Sequence, residues 1–371
     1  MNRTLLYATS IVIGLSAGGN HAGADILIAT AGPMAGNAAA FGEEMRRGTQ
    51  QAIDDINATG GLRGERLALT VGDDGCDPKK AVEVATGFVS QGVKLVAGHF
   101  CSGSSIPASK IYEAAGIVQI SPASTNPRFT SEGGWNVLRV CNRDDAQGAF
   151  AAKLIAAQYR GKRIALLNDK SPAGTAMTER ARQALATAGI AIAIDDSYTP
   201  GSKDYSDMAQ RLRDGAVDVI YIGGTYVEAG LIIKQLRAIG SAAQLIGGDG
   251  LVTDEFWNIA GDSGEGTLMT FTPNPQKLDS AKAVVQRFAD DGYNPEGYTL
   301  HAYAAVQAWV QAAEATGGIE SHKIAGWLRG GNKVKTVLGE ISFDGKGDVT
   351  DPRFTWYRWS EGKYTVDANL Q

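Results

Sequence analysis

Only three cysteines and four histidines occur among 371 residues. The histidines (His21, His99, His301 and His322) are dispersed, so no metal-ligand spacing exists and no metal site is expected. No cysteine stands near residue 24, so an acceptor for a lipid anchor is missing. Long apolar runs are missing too. The stretch from Leu5 to Leu15 is followed too early by Gly18-Gly19-Asn20-His21 to reach the roughly 20 apolar residues of a membrane span. Positive charge is in deficit, with a formal net charge of −5, which argues against nucleic acid or an anionic membrane as a partner. The glycines of AGPMAGNAAAFG follow a strand pattern but do not have the G-x-G-x-x-G spacing, and no P-loop is present. No G-x-S-x-G elbow and no paired catalytic groups occur, so neither an enzyme nor a cofactor is expected.

Apolar residues make up 44% and charged residues 20%, the balance of a folded chain with ample core. The length suits two domains. The first 24 residues read as an export leader: Arg3 supplies the positive start, Leu5 to Leu15 the apolar run, and Ala22-Gly23-Ala24 the small-residue cleavage site. Loss of Arg3 with the leader makes the remaining chain one unit more negative. The processed protein is expected in the periplasm, free rather than inserted in the membrane.

From Asp25 onward short apolar strands alternate with helical runs. ILIATAG, LALTVGDD, VKLVAGHF and IVQISPAS read as strands, and helices of apolar period near 3.6 lie between them. KRIALLND, IAIAIDDSYTP, VDVIYIGGT, QLIGGDG and GTLMTFTP continue the series in a second block. This spacing calls for parallel sheets with helices on both faces. The region after residue 273 differs. It holds three helices, AKAVVQRFADDG, YTLHAYAAVQAWVQAAEATGG, which is apolar nearly all round, and the short IAGWLRGGN, and ends in strands joined by Gly-rich turns. It is expected to return to the first lobe before its last strands cross to the second.

The stretch from Asp73 to Thr125 carries most of the candidate chemistry. Cys76 and Cys101 each follow a predicted strand, and adjacent parallel strands would bring them together as a disulfide. Export makes such a bond permissible, and closing the loop contributes roughly 3 kcal/mol in the chain-entropy model. Cys141 is left over as a buried thiol near a crossover. Ser102, Gly103 and Ser104 lead into a helix whose free N–H groups suit a carboxylate. Ala123, Ser124 and Thr125 form the next loop, at the sheet edge where open α/β folds bind ligands. Taken singly these residues read equally well as helix caps. Their coincidence on neighbouring strands favours a site.

At these residues the chain resembles a known family. GDDGCDPKKAV, AGHFCSGSSIPASKIYEAAGIVQISPAST, INATGGLRGERL, RDDAQG, IAG…GEGTLMT, YAAVQAW and FDGKGD are similar, in order, to the leucine/isoleucine/valine-binding proteins of bacterial ABC importers. The resemblance covers essentially the whole processed chain. It implies a type I periplasmic binding protein-like α/β fold, two doubly wound parallel-sheet lobes joined by a three-strand hinge. Lobe 1 would take residues 25–141 plus 274–349, and lobe 2 residues 142–273 plus 350–371.

The resemblance also implies roles. Cys76 and Cys101 match the family's disulfide. Ser102 and Thr125 match positions that hold the ligand carboxylate, and Ala123 one whose carbonyl accepts from the α-ammonium. Asp249 matches an acid that pairs with that ammonium, where branched-chain binders commonly carry Glu. Phe41 and Tyr298 match aromatic walls, and Tyr226, or Thr225 beside it, the second-lobe aromatic that closes on the ligand. Ala173 stands where those binders usually have Tyr, which would leave room for a larger side chain.

The implied function is capture of an aliphatic amino acid by hinge closure and delivery to the membrane permease of an ABC importer. A monomer is expected, because closure needs both lobes free. Other readings are a binder of aromatic or other carboxylates in the same fold, a ligand-sensing regulator, and an exported enzyme. Asp249 weighs against the first, the leader against the second and the missing catalytic pairs against the third.

Overall fold

Residues 25–370 are described by a computed structural model, so the leader expected at 1–24 lies outside the described residues. The first sheet is built from β1 (Ile26–Gly32), β2 (Leu67–Asp73), β3 (Leu95–Gly98), β4 (Val118–Ser121) and β5 (Val137–Arg139). All run parallel, in the order β2-β1-β3-β4-β5. β3, β4 and β5 are buried at every position, as parallel strands covered on both faces must be. Helices α1 (Ala39–Ala58), α2 (Pro78–Gln91) and α3 (Ser102–Ala115), with the single-turn α4 (Arg128–Ser131), make the crossovers. α2 shows why the sequence signals work: Asp77 caps the Lys79 and Lys80 N–H groups, Pro78 opens the helix, and Gly92 closes it at φ 77°.

One expectation is corrected. The strands preceding Cys76 and Cys101 are not neighbours, because β1 lies between β2 and β3. The disulfide nevertheless forms, with a Cα–Cα distance of 5.4 Å. The loops after β2 and β3 reach over the end of β1, which alternation of strands and helices along the chain does not reveal.

α5 (Asp144–Gln158) opens the second lobe, followed by β6 (Ile164–Asn168), α6 (Pro172–Thr187), β7 (Ile192–Ser197), α7 (Ser206–Asp214), β8 (Val219–Gly223), α8 (Tyr226–Ala238), β9 (Gln244–Gly247), α9 (Glu255–Ala260) and β10 (Leu268–Phe271). The chain then returns through α10 (Lys282–Asp290), α11 (Thr299–Thr316) and α12 (Ser321–Arg329). α11 is buried along most of its length and packs on α1, β3 and β4. At their closest point a Cβ on Gly48 would stand 2.0 Å from the Thr299 carbonyl oxygen, so only glycine admits this packing.

A small antiparallel ribbon, β11 (Val334–Thr336) with β12 (Gly339–Ile341), precedes the hairpin β13 (Thr355–Ser360) and β14 (Lys363–Val366). That hairpin joins the second sheet, whose order is β14-β13-β10-β9-β8-β6-β7. β13 pairs antiparallel with β10, and the rest from β10 to β7 is parallel.

The chain therefore passes between the sheets three times: after β5, after β10 and before β13. Asp348, in the FDGKGD motif, ties the first and third passages together. It pairs with the fully buried Arg139 at 2.7 Å and with Arg143 at 2.9 Å, and it accepts the Thr130 hydroxyl at 2.8 Å. Asn142 adds a bond to the Arg353 carbonyl at 2.6 Å, and Tyr357 donates to the Thr272 carbonyl at 2.8 Å.

Candidate ligand-binding cleft

The C-terminal ends of both parallel sheets face one another across a cavity of about 700 Å³. From the first lobe it is lined by Phe41, Phe100, Ser102, Ala123 and Thr125, and from the second by Ala173, Met177, Thr225 and Asp249, among others. Both halves of the disulfide also reach it.

The first-lobe wall is fixed by its loops. Cys101 is the N-cap of α3 and offers no side-chain acceptor, so the leading N–H groups of that helix are not capped from its own chain end. The Ser102 hydroxyl oxygen accepts the Asn126 N–H at 3.1 Å. With that acceptor side engaged, its own proton is available to a ligand oxygen. Beneath the wall runs a buried chain that sequence reasoning missed: Asp74 to His99 Nδ1 at 2.5 Å, and His99 Nε2 to the Tyr112 hydroxyl at 2.7 Å. Asp74 also accepts the Cys76 N–H at 2.7 Å, so the chain braces the disulfide loop from below. Burial pushes the Tyr112 hydroxyl well above its usual pKa, and the Asp74 charge adds to it. A lone histidine after an apolar strand carries no signal of such a partnership.

Ser124 sits below the cleft rather than in it. Its hydroxyl meets the Ser105 oxygen at 2.7 Å, the Phe100 carbonyl at 3.0 Å and the His99 carbonyl at 3.1 Å. Ser105 and Ser121 also donate to the His99 carbonyl, at 3.2 and 2.8 Å. Much of the Ser richness of the two loops thus satisfies buried backbone and stitches the loops together. Ser102 and Thr125 are the hydroxyls of these loops that line the cavity.

On the second lobe Asp249 begins a single 3-10 turn directly after β9. Burial raises its carboxyl above the usual range, opposed by hydrogen bonds from the Tyr298 hydroxyl, which is the larger, and from Gln147. Asp144 lies buried nearby. Its carboxyl is raised well above the usual range by burial first and by the Asp249 charge second. The other acids of the cavity wall are engaged with loop backbone. Asp73 accepts from Met34 and Gly75, Asp169 from Ser171, and Glu228 from Gly201 and the Thr225 hydroxyl.

Tyr298 and Tyr226 do not line the cavity. Tyr298 stands behind it, its hydroxyl on Asp249 and its ring edge-on to Phe100 at 5.5 Å. Tyr226 spans the lobes: its hydroxyl donates to the Asn37 carbonyl at 2.6 Å, and its ring meets Phe41 edge-on at 5.3 Å. Phe100, unnoticed in the sequence, stacks on Phe41 at 4.5 Å and completes the aromatic wall. Ala173 and Met177 lie four residues apart on one face of α6, so the sulfur side chain stands beside the space that alanine leaves open. Among the described residues no cluster of His, Cys, Asp or Glu is arranged to hold a metal ion, and no helix is long and apolar enough to cross a membrane.

Residues 25–363 match the family model described as periplasmic binding protein. The chain belongs to that family. It is 40% identical over 362 residues to Leu/Ile/Val-binding protein homolog 1 of Brucella suis biovar 1 (strain 1330), covering 98% of this chain and 97% of the relative. It is 41% identical over 364 residues to the amino acid binding protein of Pseudomonas aeruginosa, covering 97% and 96% of the two chains. Among solved structures, the branched-chain amino acid transporter substrate-binding protein LivJ of Streptococcus pneumoniae in complex with isoleucine superposes with a TM-score of 0.84. It is 25% identical and covers 92% of this chain and 99% of that one. The two parallel-sheet lobes described above are the architecture of this family.

Proposed function

We propose that the cleft captures an aliphatic amino acid as its zwitterion, at a periplasmic location, and presents the closed protein to the permease of an ABC importer. The observation that carries this reading is the pairing of opposites in one cavity. The Ser102 hydroxyl and the uncapped start of α3 lie on the first lobe, and Asp249 lies on the second. Neutral donors suit the ligand carboxylate and Asp249, the other acids of the wall being engaged with loop backbone, suits the ammonium; both charged hydrogen bonds strengthen as closure removes water. Phe41, Phe100 and Met177 give the side chain an apolar surround, and Ala173 leaves space for one larger than leucine's. The named ligands of the relatives, Leu, Ile and Val, and the isoleucine bound by the pneumococcal protein support the same class. Binding by hinge closure needs no turnover chemistry, so the protein acts as a carrier rather than an enzyme, and as a monomer.

Leucine, isoleucine and valine are expected to raise the melting temperature, and Asp249→Ala to weaken them by about 1.5–3 kcal/mol, a factor on the order of ten to a hundred. A shift with benzoate but none with any amino acid would move the assignment to simple carboxylates. Undiminished amino-acid affinity in Asp249→Ala would remove the ammonium role.

A further inference from the structure

We propose that Asn126 is a positioning residue that couples capture of the ligand carboxylate on the first lobe to closure of the second; this rests on the reading of the cleft as an amino-acid site. Asn126 lies in the loop after β4, is 4% exposed, and does not line the cavity. Besides its carbonyl, which accepts the Phe129 N–H at 3.1 Å, it makes three hydrogen bonds. Its backbone N–H donates to the Ser102 hydroxyl oxygen at 3.1 Å, and its Oδ1 accepts the Arg128 N–H at 2.9 Å. Its Nδ2 crosses to the other lobe and donates to the Pro172 carbonyl at 2.7 Å.

Each contact does a different thing. The first turns the Ser102 proton toward the ligand. The second holds the asparagine loop in a local turn. The third exists only while Pro172 is close, and Pro172 opens α6, the helix that brings Ala173 and Met177 to the cavity. The two lobes are within van der Waals reach here: a Cβ on Gly103, in the first turn of α3, would lie 3.5 Å from Pro172 Cδ. Near the contact lies a second cavity of about 590 Å³, lined by Pro127 on one side and Ala176 and Arg180 on the other.

In an open form both the carboxamide and the Pro172 carbonyl would be solvated. Closure exchanges those waters for one part-buried bond between the lobes, between the buried carboxamide and the carbonyl of the exposed Pro172. Tyr226 and the Asn37 carbonyl make a comparable interlobe bond elsewhere on the cleft at 2.6 Å. Asn126 touches both the carboxylate anchor and the closing lobe.

Two variants separate this role from general damage. Asn126→Ser keeps an oxygen for the Arg128 N–H but is too short to reach Pro172. Asn126→Asp keeps the shape and the acceptor and loses the donor while ionised. Calorimetry with leucine, isoleucine and valine is expected to show all three weakened by one common factor, about three- to tenfold, the net worth of a single hydrogen bond. The ligand-free melting temperature should stay at the wild-type value. In Asn126→Asp the loss should shrink as the pH falls and the protonated acid donates again. Paired spin labels, one per lobe, should show a smaller short-distance population for Asn126→Ser in ligand-free protein and at sub-saturating leucine. Unchanged affinities and distances, loss of one amino acid alone, or a lowered melting temperature without recovery at low pH would each overturn the proposal. If the wild type binds none of the three amino acids, the reading of the cleft fails, and the ligand-free distance distributions alone decide the coupling.

Discussion

Asp249 and Tyr298 meet in a hydrogen bond that neither residue's surroundings in the sequence announces, since they are 49 positions apart. The hydroxyl lowers the carboxyl's pKa against the burial that raises it. An ammonium ligand needs the ionised acid. Tyr298→Phe is therefore expected to move the acidic fall-off of leucine affinity to higher pH, with little change at alkaline pH, measured as Kd against pH. At this scale the sequence was half legible. Ser102, Thr125, Asp249 and Ala173 line the cavity as read, whereas Ser124 is spent on the His99 and Phe100 carbonyls. Hydroxyls in a Ser-rich loop are equivalent as letters, and the turn they occupy decides which face water and which face buried backbone. Phe100 was overlooked because an aromatic at a strand end reads as core.

At the scale of elements, the loop before α11 reaches the other lobe through Glu296. Its carboxylate accepts the Asp254 N–H at 3.0 Å, the Thr253 hydroxyl at 3.2 Å and the Tyr364 hydroxyl at 3.4 Å. Burial first, and the Asp254 charge second, raise its pKa from 4.5 to about 7. Glu44, raised well above the usual range, and Tyr293 stand near the same group. The sign follows from linkage. A folded-state pKa above the unfolded one means that folding takes up a proton. The contribution is complete below about pH 4.5 and is lost as the pH rises through about 7. Glu296→Gln should therefore flatten the decline in melting temperature between pH 5 and pH 7 relative to wild type. Parallel slopes would show that the carboxyl does not titrate there. Helices and strands themselves were read well because caps, glycine stops and apolar period are local. The partners of an acid in a loop are not.

For the whole molecule, the three passages between sheets are held by side chains from distant parts of the chain. Arg139 is fully buried, with Asp348 on its Nε, and its other nitrogens donate to the Ser124 carbonyl and the Thr130 hydroxyl, each at 2.6 Å. Asp348→Ala would leave that guanidinium without its counter-charge, at a cost of about 3–5 kcal/mol, read as a lower urea midpoint. The Ser124 carbonyl belongs to the loop that carries Ala123 and Thr125, so the damage should extend to ligand affinity as well. An unchanged midpoint would show that the pair is dispensable to the fold.

The sequence alone determined the alternating strand–helix build and the two-lobed division. Both depend on short-range pattern, apolar period and capping chemistry. Only the tertiary structure decided that β1 separates the two cysteine-bearing strands, that His99 and Asp74 brace the loop between them, and that Tyr298 addresses Asp249 rather than the cavity. It alone brought Asn126 to Pro172. The physical reason is common to all of these. A buried polar group must find a partner, and in a chain that crosses three times between lobes that partner is set by packing, not by distance along the sequence.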